Sequence, residues 1–177
     1  VDTLLREHAS LAMPDAVVLH SGGWKRLGEM AVGRKEFQDA TASVIGCASE
    51  RVIDFYGMVE NVGVVYPDCS AGNKHAPAFG QVVVRDPLSF DDAGPGERGF
   101  IQVCSALPES FPGHVLLTED MGEVVREDGC PCGRRGIAFR VAGRVPQAEI
   151  RGCGETVARR PMVAVSDRGP CARFHME

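Results

Sequence analysis

The chain has 177 residues, 44% of them hydrophobic, and a formal net charge of −5 from 19 Lys and Arg against 24 Asp and Glu. That length suits one ordinary domain or part of a larger one, and the acidic balance speaks against general nucleic-acid binding, which needs a cationic face for phosphates. No apolar run reaches membrane-spanning length, because Arg, Asp, Glu or Gly interrupts each of them.

The expected elements follow in chain order. Residues 16–20, "AVVLH", read as a short buried strand, and "SGGWK" after it as a loop in which Gly22 and Gly23 permit a tight path. From Arg34 to Ala48 the residues Phe37, Thr41, Val44, Ile45 and Ala48 fall on one face, which predicts a helix. "RVIDFYGM" and "VGVVYPD" read as strands flanking Glu60. "FGQVVVRDP" is a strand stopped by Pro87, "DDAGPGERG" a turn, and "FIQVCSAL" another strand. "HVLLTED" and "GEVVRED" read as a hairpin turning at Met121 and Gly122, and "IAFRVAGRV" as the last strand. The expected architecture is therefore mixed α/β and strand-rich, with about two helices near its start. Residues 156–177 show no firm period and are an unassigned tail to the body at 1–155.

The cysteines point to chemistry. Seven are present, at 47, 69, 104, 130, 132, 153 and 171, and the odd count does not close a disulfide framework. Asp2, Arg6, Glu7 and His8 give no signal-peptide pattern, so a reducing cytoplasm is expected, where paired cysteines serve metals or catalysis. Zinc takes Cys and His in fours, commonly as two short-spaced pairs. Cys130 and Cys132 in "CPC" form one pair, and Cys69 with His75 in "DCSAGNKH" is the candidate second, with Gly72 allowing the turn between them. A Cys3His set has no open position and would be structural, tying two distant loops together. The same spacing admits another reading, two free thiols or a labile disulfide.

Other signals are weaker. "GPGERG" matches G-x-G-x-x-G literally, but it lies between two strands and reads as a hairpin turn. Glu60, in a break between strands, suits either Mg²⁺ or a helix cap. Asp120, at a strand end, suits either ribose hydroxyls or a solvated turn. Cys153, between glycines and near Arg151, is either an activated thiolate or an ordinary exposed cysteine. His8, His20, His114 and His175 show no partner.

Taken in order, "VLHSGGWK" (18–25), "FYGMVEN" (55–61), "DCSAGNKH" (68–75), "GERGFIQVCSALPESFPGHVLLTEDMGEV" (96–124), "CPCGRRG" (130–136) and "GRVPQAEIRGCGE" (143–155) resemble the acyl-protein synthetase family of bacterial bioluminescence, the LuxE type, among the adenylate-forming ligases close to phenylacetate–CoA ligases. The resemblance implies the C-terminal part of the large domain of such a ligase, with a zinc-tied loop region. By that resemblance Tyr56 and Gly57 pack on adenine, Gly22 and Gly23 line the adenine and acyl pocket, and Asp120 binds the ribose hydroxyls. Glu60 would hold Mg²⁺, Arg144 would stand at the hinge after the last strand, and Cys153 would take the acyl group as a thioester. Cys69, His75, Cys130 and Cys132 would match a zinc cluster of phenylacetate–CoA ligase relatives.

The implied reaction activates a carboxylic acid, fatty or aromatic, with ATP and passes it to a thiol. That thiol is the chain's own cysteine, a carrier protein or CoA. A separate N-terminal half or a reductase subunit is an implied partner; nucleic acid is not, nor is a membrane span. Two departures stand out: the family's Ser/Thr/Gly-rich phosphate loop is absent, which would place it upstream of Val1, and no lysine follows Lys74. A non-catalytic zinc-stabilised module acting as an interaction or regulatory subunit is the rival expectation.

Overall fold

In the computed structural model, residues 6, 10–22, 31–109 and 112–145 are described. Two sheets carry the architecture. The first has three strands in the order β1 (Val18–Ser21), β2 (Val52–Tyr56), β3 (Tyr66–Pro67). Helix α1 (Arg34–Ile45) connects β1 to β2, which run parallel with Ser21 beside Phe55. The second sheet is antiparallel, ordered β4 (Lys74–His75), β8 (Ala138–Arg144), β7 (Val115–Arg126), β6 (Arg98–Ser105), β5 (Gly80–Arg85). The mixed, strand-rich α/β class expected from the sequence is the one observed. No described helix is long and apolar enough to cross a membrane.

Alternation sets the sheet-two core. Along β6 the buried positions are Gly99, Ile101, Val103 and Ser105, every second residue, as a half-buried strand requires. Ile101 and Val103 meet Val82 of β5, Phe139 of β8, and Val64 and Tyr66 from the first sheet's side. Tyr66 and Phe139 are fully buried and meet edge-on, with centroids 5.5 Å apart at 80°, a geometry that suits the ring quadrupoles.

The helix begins at Arg34 as expected and stops at Ile45, three residues early. Gly46 adopts φ 80°, ψ 27°, and its N–H returns to the Ala42 carbonyl, the left-handed end that glycine allows at little cost. The backbone N–H groups of Leu11 and Met13 then reach the Val44 and Ile45 carbonyls at 2.9 Å each, satisfying acceptors the helix end leaves open.

Two expected elements are corrected. Only Tyr66–Pro67 of "VGVVYPD" is strand, because residues 61–64 turn, with the Val64 N–H on the Asn61 carbonyl. The hairpin expected at Met121–Gly122 does not exist; β7 is one strand of 12 residues. Gly122 is there for space rather than for turning. A Cβ at this position would run into the Arg140 carbonyl and the Ile101 side chain, so glycine lets β8 and the core close over β7.

Candidate functional site

Zinc-type cluster. The 68–74 turn links the two sheets: Asp68 bridges to Lys74, and the Gly72 N–H bonds the Cys69 carbonyl. Gly72 has φ 75°, so this tight turn suits glycine. It brings Cys69 and His75 to the same side. The β7–β8 connection supplies Cys130 and Cys132, with the Gly133 N–H on the Cys130 carbonyl. Pairing of β4 with β8 sets His75 opposite Ala138, whose small, fully buried side chain packs against Cys69 and Cys130. The four ligand atoms lie within 4.8 Å of one another. Cys69 Sγ is 3.9 Å from Cys130 Sγ, and Cys132 Sγ is 3.5 Å from His75 Nε2. A tetrahedral zinc site has S···S edges of about 3.8 Å and S···N edges of about 3.5 Å, from its bond lengths. The observed set fits.

Its surroundings favour a thiolate at Cys130 and oppose one at Cys132. The Cys130 thiol is drawn down to about 6, first by the Cys132 backbone N–H, then by the Asn73 amide and the Cys132 and His75 side chains. Cys132 is pushed up: the Arg134 N–H favours its thiolate, but burial and the neighbouring Cys130 and Cys69 sulfurs outweigh that. Asn73 is itself held by Arg140 Nε at 2.9 Å, and its Nδ2 lies 3.6 Å from Cys130 Sγ. A cleft of about 730 Å³ between α1 and the 68–74 turn has Cys69 and Cys132 among its lining residues.

Ion network. The residues immediately before the Cys69 and His75 ligands, Asp68 and Lys74, are both charged. Lys74 Nζ meets Asp54 Oδ2 of β2 at 2.7 Å and Asp68 Oδ1 at 3.0 Å, while Arg34 of α1 reaches Asp68 at 3.3 Å. His20, for which the sequence offered no partner, lies 3.5 Å from Asp54 Oδ1 with its ring on Phe37. The network ties the metal-type turn to β1, β2 and α1. Asn73, Lys74 and Asp54 were not singled out from the sequence, since each acts through contacts with residues distant in the chain.

Ends of the parallel strands. In sheets with parallel strands, ligands collect beyond the carboxyl ends of those strands. Gly22 follows β1 directly after the last paired residues, Ser21 and Phe55, and Gly57 follows β2. Tyr56 closes β2, and its hydroxyl donates to Asp120 Oδ2 at 2.8 Å. Asp120 is not at a strand end as expected. It lies within β7, in step with the core-facing residues Leu116 and Val124. Arg144, the last residue of β8, sets Nε 3.3 Å from Asp120 Oδ1. The Tyr56 phenol is held well above its ordinary range, first by burial, then by the Asp120 charge beside it. Glu60 is exposed in the turn after Gly57. Gly23 and Cys153 lie outside the described residues.

This arrangement, with its antiparallel second sheet, resembles part of an adenylate-forming ligase domain. A solved 2-hydroxyisobutyryl-CoA ligase, in complex with 2-HIB-AMP and CoA, superposes with a TM-score of 0.55 at 21% identity, over 73% of this chain and 29% of that one. The family model for acyl-protein synthetase, LuxE, matches residues 5–161, and the chain belongs to that family. The long-chain-fatty-acid–luciferin-component ligase of Vibrio harveyi is 24% identical over 147 residues, 82% of this chain and 37% of the relative. The chain thus spans little more than a third of the curated relative it matches.

Proposed function

We propose that this chain is the nucleotide- and zinc-binding part of an acyl-adenylate-forming ligase, with residues 1–155 forming the C-terminal part of the adenylating domain and 156–177 a tail. The convergence of Gly22, Tyr56, Gly57, Asp120 and Arg144 at one end of the β1–β2 pair supports this reading. Tyr56 and Gly57 would offer the adenine a flat face, and Asp120 would accept the ribose hydroxyls. Glu60, an exposed carboxylate on the adjoining turn, would hold Mg²⁺, which neutralises the phosphates.

The acid's carboxylate attacks the α-phosphorus of ATP and pyrophosphate leaves. A thiolate then attacks the acyl carbon of the mixed anhydride, the C–O bond to phosphate breaks, and AMP leaves as the thioester forms. The chain's own residues orient the nucleotide and balance charge, the usual share of the protein in such steps. A fatty acid is the first candidate substrate, given the relative's name. Cys153, a carrier thiol or CoA would be the acceptor, and an N-terminal half and a reductase the partners, in the cytoplasm. Cys69, His75, Cys130 and Cys132 would hold a structural zinc ion, because four protein ligands leave no open position.

The test is titration of Mg-ATP into the chain and into Asp120→Ala. Binding that weakens at least about tenfold in the variant, the cost of a lost charged hydrogen bond, supports the reading. Zinc retained with no ATP binding, even with an N-terminal half supplied, would favour a non-catalytic zinc module, for which the closed Cys3His geometry is the favouring observation.

A further inference from the structure

We infer that the Tyr56 hydroxyl and Arg144 together orient the Asp120 carboxylate, so that Tyr56 is a positioning residue for a ribose 2′,3′-diol as well as a surface for a base. The inference rests on the nucleotide reading above and adds to it a second role for the ring's hydroxyl.

A carboxylate facing water can turn about its last bond, and any ligand must stop that motion. Asp120 is already stopped. Tyr56 Oη donates to Oδ2 at 2.8 Å, and Arg144 Nε stands 3.3 Å from Oδ1. Its backbone N–H bonds Thr118 Oγ1 at 3.1 Å, and that hydroxyl also reaches the Ile101 carbonyl at 2.8 Å. Tyr56 is fixed in turn. Its ring lies 5.9 Å from Tyr66 and 6.4 Å from Phe139, and Asn61 Nδ2 anchors the Tyr66 hydroxyl at 2.8 Å. Burial keeps the phenol protonated, so it remains a donor. The contact crosses from the first sheet to the second, setting the carboxylate of β7 against the end of β2.

An ionised carboxyl has about four lone-pair positions, two on each oxygen. Tyr56 takes one on Oδ2 and the Arg144 guanidinium stands as an ion pair beside Oδ1, so each oxygen keeps an acceptor position. Two neighbouring O–H donors on a vicinal diol match that pattern. A divalent cation matches it poorly, because Arg144 already balances the charge and the phenol proton competes for Oδ2. The residual acceptors therefore suit a neutral pair of hydroxyls.

The experiment compares Mg-ATP with 2′,3′-dideoxy-ATP on the full chain and on Tyr56→Phe, by calorimetric titration, with melting temperature as the check on folding. Phenylalanine keeps the ring and removes only the hydroxyl. The expected result is that Tyr56→Phe weakens ATP about fivefold or more, as a loosened charged hydrogen bond would. The dideoxy analogue should bind both proteins equally, so the preference for the diol collapses. A variant that keeps the full preference would overturn this inference and leave the nucleotide reading standing. A parent chain that binds neither nucleotide, or both alike, would overturn the ribose role of Asp120 and the inference with it. A loss equal for both nucleotides would assign Tyr56 to the base alone.

Discussion

Lys74, almost wholly buried, stands 2.7 Å from Asp54 and 3.0 Å from Asp68. One ammonium group joins the second strand of the parallel pair to the turn that carries Cys69 and leads into His75. Lys74 immediately precedes His75, and Asp68 immediately precedes Cys69. The link between β2 and the thiol cluster is therefore electrostatic, and it is buried at Lys74 and Asp68.

Removing one partner of a buried pair leaves the other charge uncompensated. Lys74→Met is expected to cost about 3–5 kcal/mol, a fall in melting temperature of roughly 10 °C for a chain of this size. Lys35→Met removes an exposed pair with Asp39 on α1 and should leave the melting temperature unchanged. Equal melting curves for the two variants would show that the Lys74 network adds nothing to stability.

The thiol cluster predicts metal. Native and denaturing mass spectra of the purified chain should differ by one zinc ion, and Cys132→Ser should lose that ion and melt markedly lower, since binding energy of a structural metal is folding energy. Asn73→Ala leaves all four ligands but removes the amide from Cys130 Sγ. It should weaken zinc about 10- to 100-fold, as loss of a group supporting a ligand does. A mass two hydrogens light, with no metal, would instead identify a disulfide.

The chain has two tyrosines, and both phenols are held above the ordinary value, in each case first by burial. Between the unfolded value near 10 and the higher native values, the native state binds more protons than the unfolded state. Stability is therefore undiminished below about pH 10 and falls as pH rises above it. Phenolate absorbance near 295 nm should stay low at pH 10 and appear together with loss of circular dichroism. Independent titration of one tyrosine near pH 10 in the folded state would contradict this burial.

Gly122 leaves no room for a side chain beneath Arg140 and Ile101. Gly122→Ala is expected to destabilise by about 1–3 kcal/mol through overpacking, read as a lower urea midpoint with unchanged slope. Gly133→Ala makes a useful contrast. Nothing surrounds that position, but its φ of 81° adds backbone strain, so its cost is conformational and local to the metal-type loop.

Local signals in the sequence reached the start of α1 at Arg34, the strands around Val82 and Ile101, and the turn at 94–97, because periodicity and turn residues act over a few positions. They also marked Cys69, His75, Cys130 and Cys132 as two short-spaced pairs. They failed at β7. Glu119, Asp120 and Gly122 look like a turn when read along the chain, yet β6 and β8 pair on either side and hold the segment extended. The same pairing places Asp120 on the core-facing side, where neighbours in sequence give no hint of its partners.

Residue types and their order therefore determined the family of chemistry: soft metal ligands in pairs, an aromatic–glycine step after a strand, a carboxylate available for hydroxyls. Tertiary structure decided which of these meet. Cys69 and Cys130 come together because β4 pairs with β8, and Tyr56 finds Asp120 because the two sheets pack through Tyr66 and Phe139. Such contacts depend on strand pairing and core packing between residues about 60 positions apart, and loop closure over that distance is governed by the whole fold rather than by any local preference.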